Sequence, residues 1–488
     1  MLRAMTDPHP SSADLAYATA GEIMDRLVQG TLTSRELVAT LRERIEFLEE
    51  HLELNIVAGL SEDALAVAEE RDDERTRGEI RGSLHGLPVL LKDNIEAVGL
   101  PGLSGSTALI GRPTRDATLV THLREAGAII LGSVNMSQWA NMRSTNATAG
   151  YSASGGLVAN PWALDRSAGG SSSGSGAAAA AGYAPLVVGT ETDGSITSPA
   201  SLNGVVGLKP TVGNVSKQHV IPITNEQDSP GPLTRCVADA TLLYAALSDT
   251  TPPAARDTLS MTAVTNWRCG HLATDALVAA VIEDLRTSGV AVSSREAQKP
   301  GFDEGGDELY AMLCEYRDDL DAYLAGRPGE GPRSMAEVLR YERDHSDVEC
   351  QYFGHEQMIA ALATNGRASS DYAERRGRVT TWAQGTILEA LGDSDVLLAA
   401  AYGPAWKSDL TLSDRGVYYS SGISVAATAG WPIMCVPIGQ INGLPVGMTI
   451  LGRANDEYTV LQAAGVIENV VRSRGIEQRA TFRPPSRG

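Results

Sequence analysis

Three consecutive segments constrain the fold of this chain more than anything else in it. Pro88-Val89-Leu90-Leu91 is an unbroken apolar run of strand length. Ala117 to Ala126 has helical spacing and closes at Gly127. Ala128-Ile129-Ile130-Leu131 is a second apolar run. A strand that is apolar at every residue is covered on both faces, and two such strands joined by a helix make an α/β unit on a largely parallel sheet. The style recurs. Pro185 to Gly189 reads as a strand after an Ala-rich helix, and Val396-Leu397-Leu398-Ala399 as another. The apolar spacing of Leu277, Val278, Val281, Ile282 and Leu285 predicts a helix over Thr274 to Thr287, with a strand at Val290-Ala291-Val292. Near the C-terminus, Trp431 to Pro437 and Gly443 to Met448 read as core strands around a turn, and Asn135 to Met142 can restart a helix.

Before this pattern begins, Thr33-Ser34-Arg35-Glu36 is a capping box that opens a helix carrying Leu37, Val38, Leu41, Ile45 and Leu48. A second helix starts at Ser61. Residues 1–75 are therefore expected to form a helical outer layer, with the first ten or so loose, over a body spanning 76–488. A length of 488 leaves room for two or three domains. No composition shift or repeat marks a boundary, so the expected architecture is α/β, one large α/β/α domain with a mixed, largely parallel sheet.

Charge narrows the partners. Lys and Arg number 40 against 60 Asp and Glu, a net charge of −20, which makes a phosphate backbone a poor partner. The five cysteines include no CxxC pair, so neither a zinc site nor a disulfide framework is expected and a reduced, cytoplasmic setting fits. No apolar core follows Arg3, so a secretory signal is not expected. The most apolar stretch, Ala177 to Val188, is broken by Gly182 and Pro185 and falls short of the roughly 20 residues that span a bilayer. A soluble monomer or homodimer is expected. Asp303, Glu304, Asp307, Glu308, Asp318, Asp319 and Asp321 lie in an acidic helical region and read as a solvated face, since their spacing does not follow a calcium loop.

Three features compete for chemistry. Gly170-Ser171-Ser172-Ser173-Gly174 satisfies a G-x-S-x-G nucleophile elbow centred on Ser172, with Asp228 and His271 as nominal partners of an esterase. The preceding Leu164 to Ala168 does not read as the buried strand such an elbow needs. The same Gly-rich loop before a helix can bind an anion, but no Walker lysine or spaced dinucleotide fingerprint accompanies it. The third feature is Lys92 after a buried strand, Ser171 in the Gly/Ser loop, and Ser195 in Gly189-Thr190-Glu191-Thr192-Asp193-Gly194-Ser195. Singly, the lysine reads as a surface partner of Asp93 and the serines as turn residues.

Together, and with their surroundings, these residues resemble the amidase signature family. The likeness runs from Leu84-His85-Gly86-Leu87-Pro88 through the Gly/Ser loop. It continues into Asn203-Gly204-Val205-Val206-Gly207-Leu208-Lys209-Pro210-Thr211 and resumes at Gly443-Leu444-Pro445-Val446-Gly447. The variants Gly189 to Ser195, Ser137-Gln138-Trp139-Ala140-Asn141, Glu315 to Leu324 and Gly403-Pro404-Ala405-Trp406 are similar to its bacterial peptide amidase branch.

The resemblance implies a Ser–Ser–Lys relay and no cofactor or metal. Ser195 is then the nucleophile. Ser171, with a cis peptide bond expected before it, is the bridge, and Lys92 is the base. The backbone N–H groups of Thr192, Asp193, Gly194 and Ser195 match the family's oxyanion loop. Asp193 stands where many members have Gly, which adds a negative charge near the site. Thr197 stands where many have Arg, which removes an ion-pair partner for Glu191. Ser173 replaces a frequent Gly, with a small effect expected. The substrate pocket is expected from the variable region 298–385 and from Trp139, Ser172, Tyr402 and Trp406. The implied activity is hydrolysis of a carboxamide, a peptide C-terminal amide among the candidates. The alternatives are an aryl acylamidase or another small-amide hydrolase, and one component of a glutamine-dependent amidotransferase that works on charged tRNA.

Overall fold

A computed structural model of the protein describes residues 14–112, 114–475 and 479–485; the expected loose N-terminal residues lie outside these. Eleven strands form one sheet: β1 (Val57–Leu60), β2 (Pro88–Lys92), β3 (Ile129–Val134), β4 (Leu186–Glu191), β5 (Val206–Lys209), β6 (Ser229–Thr234), β7 (Ser260–Val264), β8 (Ala291–Arg295), β9 (Val396–Ala400), β10 (Ile433–Ile441) and β11 (Leu444–Leu451). Their order is β1-β3-β2-β4-β6-β5-β10-β11-β9-β7-β8.

The α/β class and the mixed sheet match the sequence reading, but the sheet is not largely parallel. Only the β2/β3, β2/β4, β7/β8 and β7/β9 pairs are parallel. The remaining six adjacent pairs are antiparallel. The apolar runs reported burial on both faces, and antiparallel strands at the centre of a helix-covered sheet are apolar for the same reason.

Helices cover the sheet. The N-terminal capping box forms as its residues dictate: Glu36 N–H donates to Thr33 Oγ1 at 3.1 Å, and Thr33 N–H donates to the Glu36 carboxylate at 2.9 Å. The resulting helix, Ser34–Leu52, buries Leu37, Val38, Leu41, Ile45 and Leu48. Helix Ser173–Ala181 has the opposite character and is buried at every residue. Its small side chains are needed: a Cβ on Gly174 would lie 2.3 Å from the Asn135 carbonyl oxygen. The Gly/Ser run is thus a close-packed element, not a linker.

A second apolar cluster, around Tyr316, Leu320, Leu324, Met335, Val338 and Met358, sits under the helices of residues 302–363. The acidic helix there, Phe302–Gly326, is not simply a solvated face. Asp307, Glu308 and Asp319 are buried, as is Glu315. Gln227 donates to Glu308 at 2.9 Å, and arginines from later in the chain pair with the other three. Arg378 Nε donates to Asp307 at 2.8 Å, and Arg367 grips Asp319 with two bonds of 2.8 and 2.9 Å. Arg376 Nε donates to Glu315 at 2.8 Å. Buried carboxylates persist when each finds such a charge-assisted partner. Asn135 to Met142 does not restart an α-helix. It forms one 3₁₀ turn, Gln138–Asn141. Among the described residues, no helix is long and apolar enough to cross a membrane.

Candidate active site

Lys92 ends β2 and Glu191 ends the neighbouring parallel strand β4. The chain therefore leaves both strands on the same side of the sheet, the usual place for a site in an α/β fold. Lys92 is fully buried. Its Nζ donates to Ser171 Oγ at 2.8 Å, to Thr190 Oγ1 at 2.9 Å and to the Thr190 carbonyl at 3.1 Å. Burial lowers its pKa from the ordinary 10.5 to about 7, against the opposing pull of the Asp228 and Glu191 carboxylates. Half of such a lysine is a free base near neutral pH.

Ser171 follows a cis peptide bond from Gly170, and its carbonyl accepts from Ser137 N–H at 3.1 Å. The next residue joins the two serine loops: Ser172 N–H donates to the Ser195 carbonyl at 3.1 Å. Ser195 is 7% exposed. The turn before it needs Gly194, which has φ +81° and whose Cβ, if present, would lie 2.7 Å from the Tyr402 hydroxyl. Behind the turn, Glu191 Oε2 accepts from Ile196 N–H at 2.6 Å and Thr197 N–H at 2.7 Å. Among the described residues, the N–H groups of Thr192, Asp193, Gly194 and Ser195 reach no backbone acceptor. They can serve an oxyanion.

A family model described as Amidase matches residues 36–461. The chain belongs to the amidase signature family. It is similar to the peptide amidase of Stenotrophomonas maltophilia, with 36% identity over 95% of this chain and 98% of that one and a TM-score of 0.88. The same likeness holds for a peptide amidase structure in complex with the competitive inhibitor chymostatin. A probable amidase of Arabidopsis thaliana is 33% identical over 94% of this chain and 91% of its own length. A glutamyl-tRNA(Gln) amidotransferase component from Natranaerobius thermophilus is 31% identical over 93% of this chain and 95% of its own length. The protein is an amide-hydrolysing enzyme.

Within this amidase, the residues nominated from sequence separate. Lys92, Ser171 and the Ser195 loop come together; the esterase trio does not. Ser172 is fully buried, donates to the Thr190 carbonyl at 2.9 Å and accepts from Thr190 N–H at 3.2 Å, so it neither attacks nor lines a pocket. His271 Nδ1 caps helix Leu272–Thr287. Asp228 accepts from Thr192 Oγ1 at 2.6 Å and from the N–H groups of Ile223 and Thr224. Leu164 to Ala168 overlaps a two-stranded ribbon, Ala163–Ser167 paired with Ala159–Asn160, outside the main sheet.

The aromatic nominations divide too. Tyr402 lies against the Gly194 turn and stacks on Tyr419 with centroids 6.0 Å apart. Trp139 is 1% exposed, with Nε1 donating to Glu342 at 2.7 Å, so it is core and not pocket wall. Trp406 donates to Asp414 at 2.8 Å and lines a separate cavity with Asp165, Arg166 and His271.

Two expected departures resolve differently. Burial, with the Glu308 and Glu191 carboxylates nearby, pushes the Asp193 carboxyl well above its ordinary value. That favours the neutral acid in place of the expected charge. Glu191 lacks the arginine partner, but its carboxylate holds two backbone N–H groups, and buried Lys209 supplies a positive neighbour. Ser173 Oγ donates to the Gly169 carbonyl at 2.5 Å, a local bond that leaves the loop in place. Sequence reasoning missed Thr190, which gives Lys92 two of its three bonds; its place in the Gly189 to Ser195 motif was the only available signal.

Proposed function

We propose that the protein hydrolyses carboxamides, peptide C-terminal amides first among them, through Ser195, Ser171 and Lys92. The observation that carries this is the 2.8 Å bond from Lys92 Nζ to Ser171 Oγ, in a loop joined to that of Ser195. The likeness to peptide amidases over nearly the whole chain supports the choice of substrate. In this reading the Ser195 oxygen attacks the amide carbon, and its proton passes to Ser171 as the Ser171 proton passes to Lys92. The Thr192–Ser195 N–H groups hold the oxyanion. The tetrahedral adduct collapses, the C–N bond breaks, and the relay returns the proton to the leaving nitrogen, which departs as ammonia. Water then attacks the acyl-Ser195 ester by the same relay and releases the acid. Tyr402 and region 298–385 border the acyl side.

Ser195→Ala is expected to fold normally and release no ammonia from an amidated peptide; full residual turnover would overturn the assignment. A second reading has its own support, the likeness to amidotransferase components. It requires partner chains and charged tRNA. Ammonia release by the purified chain alone, unchanged by tRNA, decides for the hydrolase. The net charge of −20 favours that outcome. We place the enzyme in the cytoplasm as a monomer or homodimer. All five cysteines are free, four of them buried, which suits a reducing compartment.

A further inference from the structure

A nucleophile, a base and an acid stand in line a second time, in the helical region beyond residue 302. Cys350 follows the short helix Ser346–Glu349. It is half-buried where the other four cysteines are buried, and its neighbours Gln351 and Tyr352 are exposed. Its Sγ lies 3.9 Å from His355 Nδ1 and 3.7 Å from the Glu342 carbonyl, to which the thiol donates. The other ring nitrogen of His355, Nε2, is bonded to the Glu342 carboxylate. A carboxylate only accepts, so Nε2 carries the proton and Nδ1 turns its lone pair to the thiol.

A nucleophile touching a base that a third group orients is the arrangement of an activated thiol. Burial pushes the Cys350 thiol above its ordinary value, and the Arg143 guanidinium pulls against it. The thiol therefore rests protonated at neutral pH and depends on a base in contact with it.

Two bridges tie this trio to the catalytic side of the molecule. Glu342 is fully buried, and its second oxygen accepts from Trp139 Nε1 at 2.7 Å and from Gln138 Nε2 at 3.1 Å. Arg143 clasps the Cys350–His355 loop at both ends. It donates to the carbonyls of Glu349, Phe353 (3.3 Å) and Gly354 (3.1 Å), and to Gln138 Oε1 at 2.5 Å. Gln138 opens the turn Gln138–Asn141, in which Trp139 and Ala140 have φ of +50° and +53°. Such backbone persists in non-glycine residues only where the surroundings enforce it. Just before the turn, Ser137 N–H donates to the Ser171 carbonyl at 3.1 Å.

We propose that Cys350 is a modification site for hydroperoxides and that its oxidation slows amide hydrolysis. The sulfur attacks one peroxide oxygen, so that an S–O bond forms as the O–O bond breaks. Two electrons pass from sulfur to the peroxide. The thiol proton moves to His355 and then to the departing hydroxide, which leaves as water. The product is a sulfenic acid. Its oxygen has to enter where the sulfur already touches the Glu342 carbonyl and His355. It displaces His355 from Glu342 and slackens the carboxylate that pins Gln138 and Trp139. Two equivalents of a small thiol reverse the change: the first expels water and forms a mixed disulfide, and the second releases Cys350. The coupling to activity rests on the Ser171 relay proposed above.

The test treats the full-length enzyme with hydrogen peroxide. Sulfenic acid is trapped with dimedone and located by mass spectrometry, and ammonia release from an amidated peptide is followed on untrapped samples. Cys350 should be oxidised at least about tenfold faster than N-acetylcysteine at the same pH, and His355→Gln should slow it at least about tenfold. The kcat should fall about tenfold as Cys350 is oxidised and return with dithiothreitol. Cys350→Ser should keep the untreated kcat and ignore peroxide. Should His355→Gln fail to fold, the comparison with N-acetylcysteine carries the test of reactivity. A Cys350 no faster than N-acetylcysteine, a rate untouched in a folded His355→Gln, or full activity with Cys350 oxidised would each overturn the proposal. Equal inactivation of Cys350→Ser by peroxide would overturn it too, by placing the damage elsewhere. Full turnover by Ser195→Ala would instead remove the relay, and this coupling with it, while leaving the labelling of Cys350 unchanged.

Discussion

The lysine proposed as the base should weaken the fold that holds it. Lys92 is fully buried and its pKa falls from 10.5 to about 7. At about 1.36 kcal/mol per pH unit, keeping the ammonium form in this site costs about 5 kcal/mol. Lys92→Met keeps the length of the side chain and removes the charge. It also leaves Ser171 Oγ, Thr190 Oγ1 and the Thr190 carbonyl without their donor. The two hydroxyls can turn to other partners, so that loss is about 2 kcal/mol. The net expectation is an inactive variant about 3 kcal/mol more stable than wild type at pH 6.

The sign with pH follows from proton counting. Below pH 7 both folded and unfolded wild type hold the Lys92 proton, and the full penalty applies. Between about pH 7 and 10.5 the unfolded chain keeps the proton and the folded one does not, so wild-type stability rises with pH. The advantage of Lys92→Met is largest at pH 6, disappears at about pH 9 and reverses above it. Urea midpoints of both proteins at about pH 6, 8 and 9.5 measure it. A variant no more stable than wild type at pH 6, or one whose advantage grows with pH, would refute the reasoning.

Other outcomes follow from the same geometry. Activity should rise through about pH 7 as Lys92 loses its proton, and Thr190→Val, which removes an acceptor of the ammonium, should move that limb about one unit lower in a pH–rate profile. Gly194→Ala should cost about 10²–10³ in kcat by pushing the turn proposed to hold the oxyanion off the Tyr402 hydroxyl; Tyr402→Phe in the same chain should recover part of it. Glu315→Gln should lower stability by about 3–5 kcal/mol in urea unfolding, because it strips Arg376 of its buried partner.

The buried strands of the sheet were legible because each is a short apolar run between turn residues, and Lys92, Ser171 and Ser195 because their motifs are long. Strand direction was not. Antiparallel and parallel strands look alike once both faces are covered, and the β5/β6 and β5/β10 pairs close across long stretches of chain that sequence does not orient. The acidic helix misled for a related reason. Asp307 and Asp319 look solvated until Arg378 and Arg367, far along the chain, are brought over them. Trp139, expected at the pocket, packs in the core instead. The turn that holds it is set by Glu342 and Glu349 through contacts across some 200 positions.

The place of the final hairpin in the sheet has a consequence for biosynthesis. β10 and β11, Ile433 to Leu451, lie between β5 and β9, in the middle of the eleven-strand order. Until they emerge from the ribosome, the strands made earlier are two separate half-sheets. Each keeps an unpaired inner edge, the kind of surface on which chains aggregate. Chains truncated before residue 433 and released from the ribosome should accordingly be cut readily by protease, and released chains that extend past Arg472 should resist. Translation through Leu451 thus precedes the step that joins the two halves, and holdase chaperones have that whole interval in which to bind.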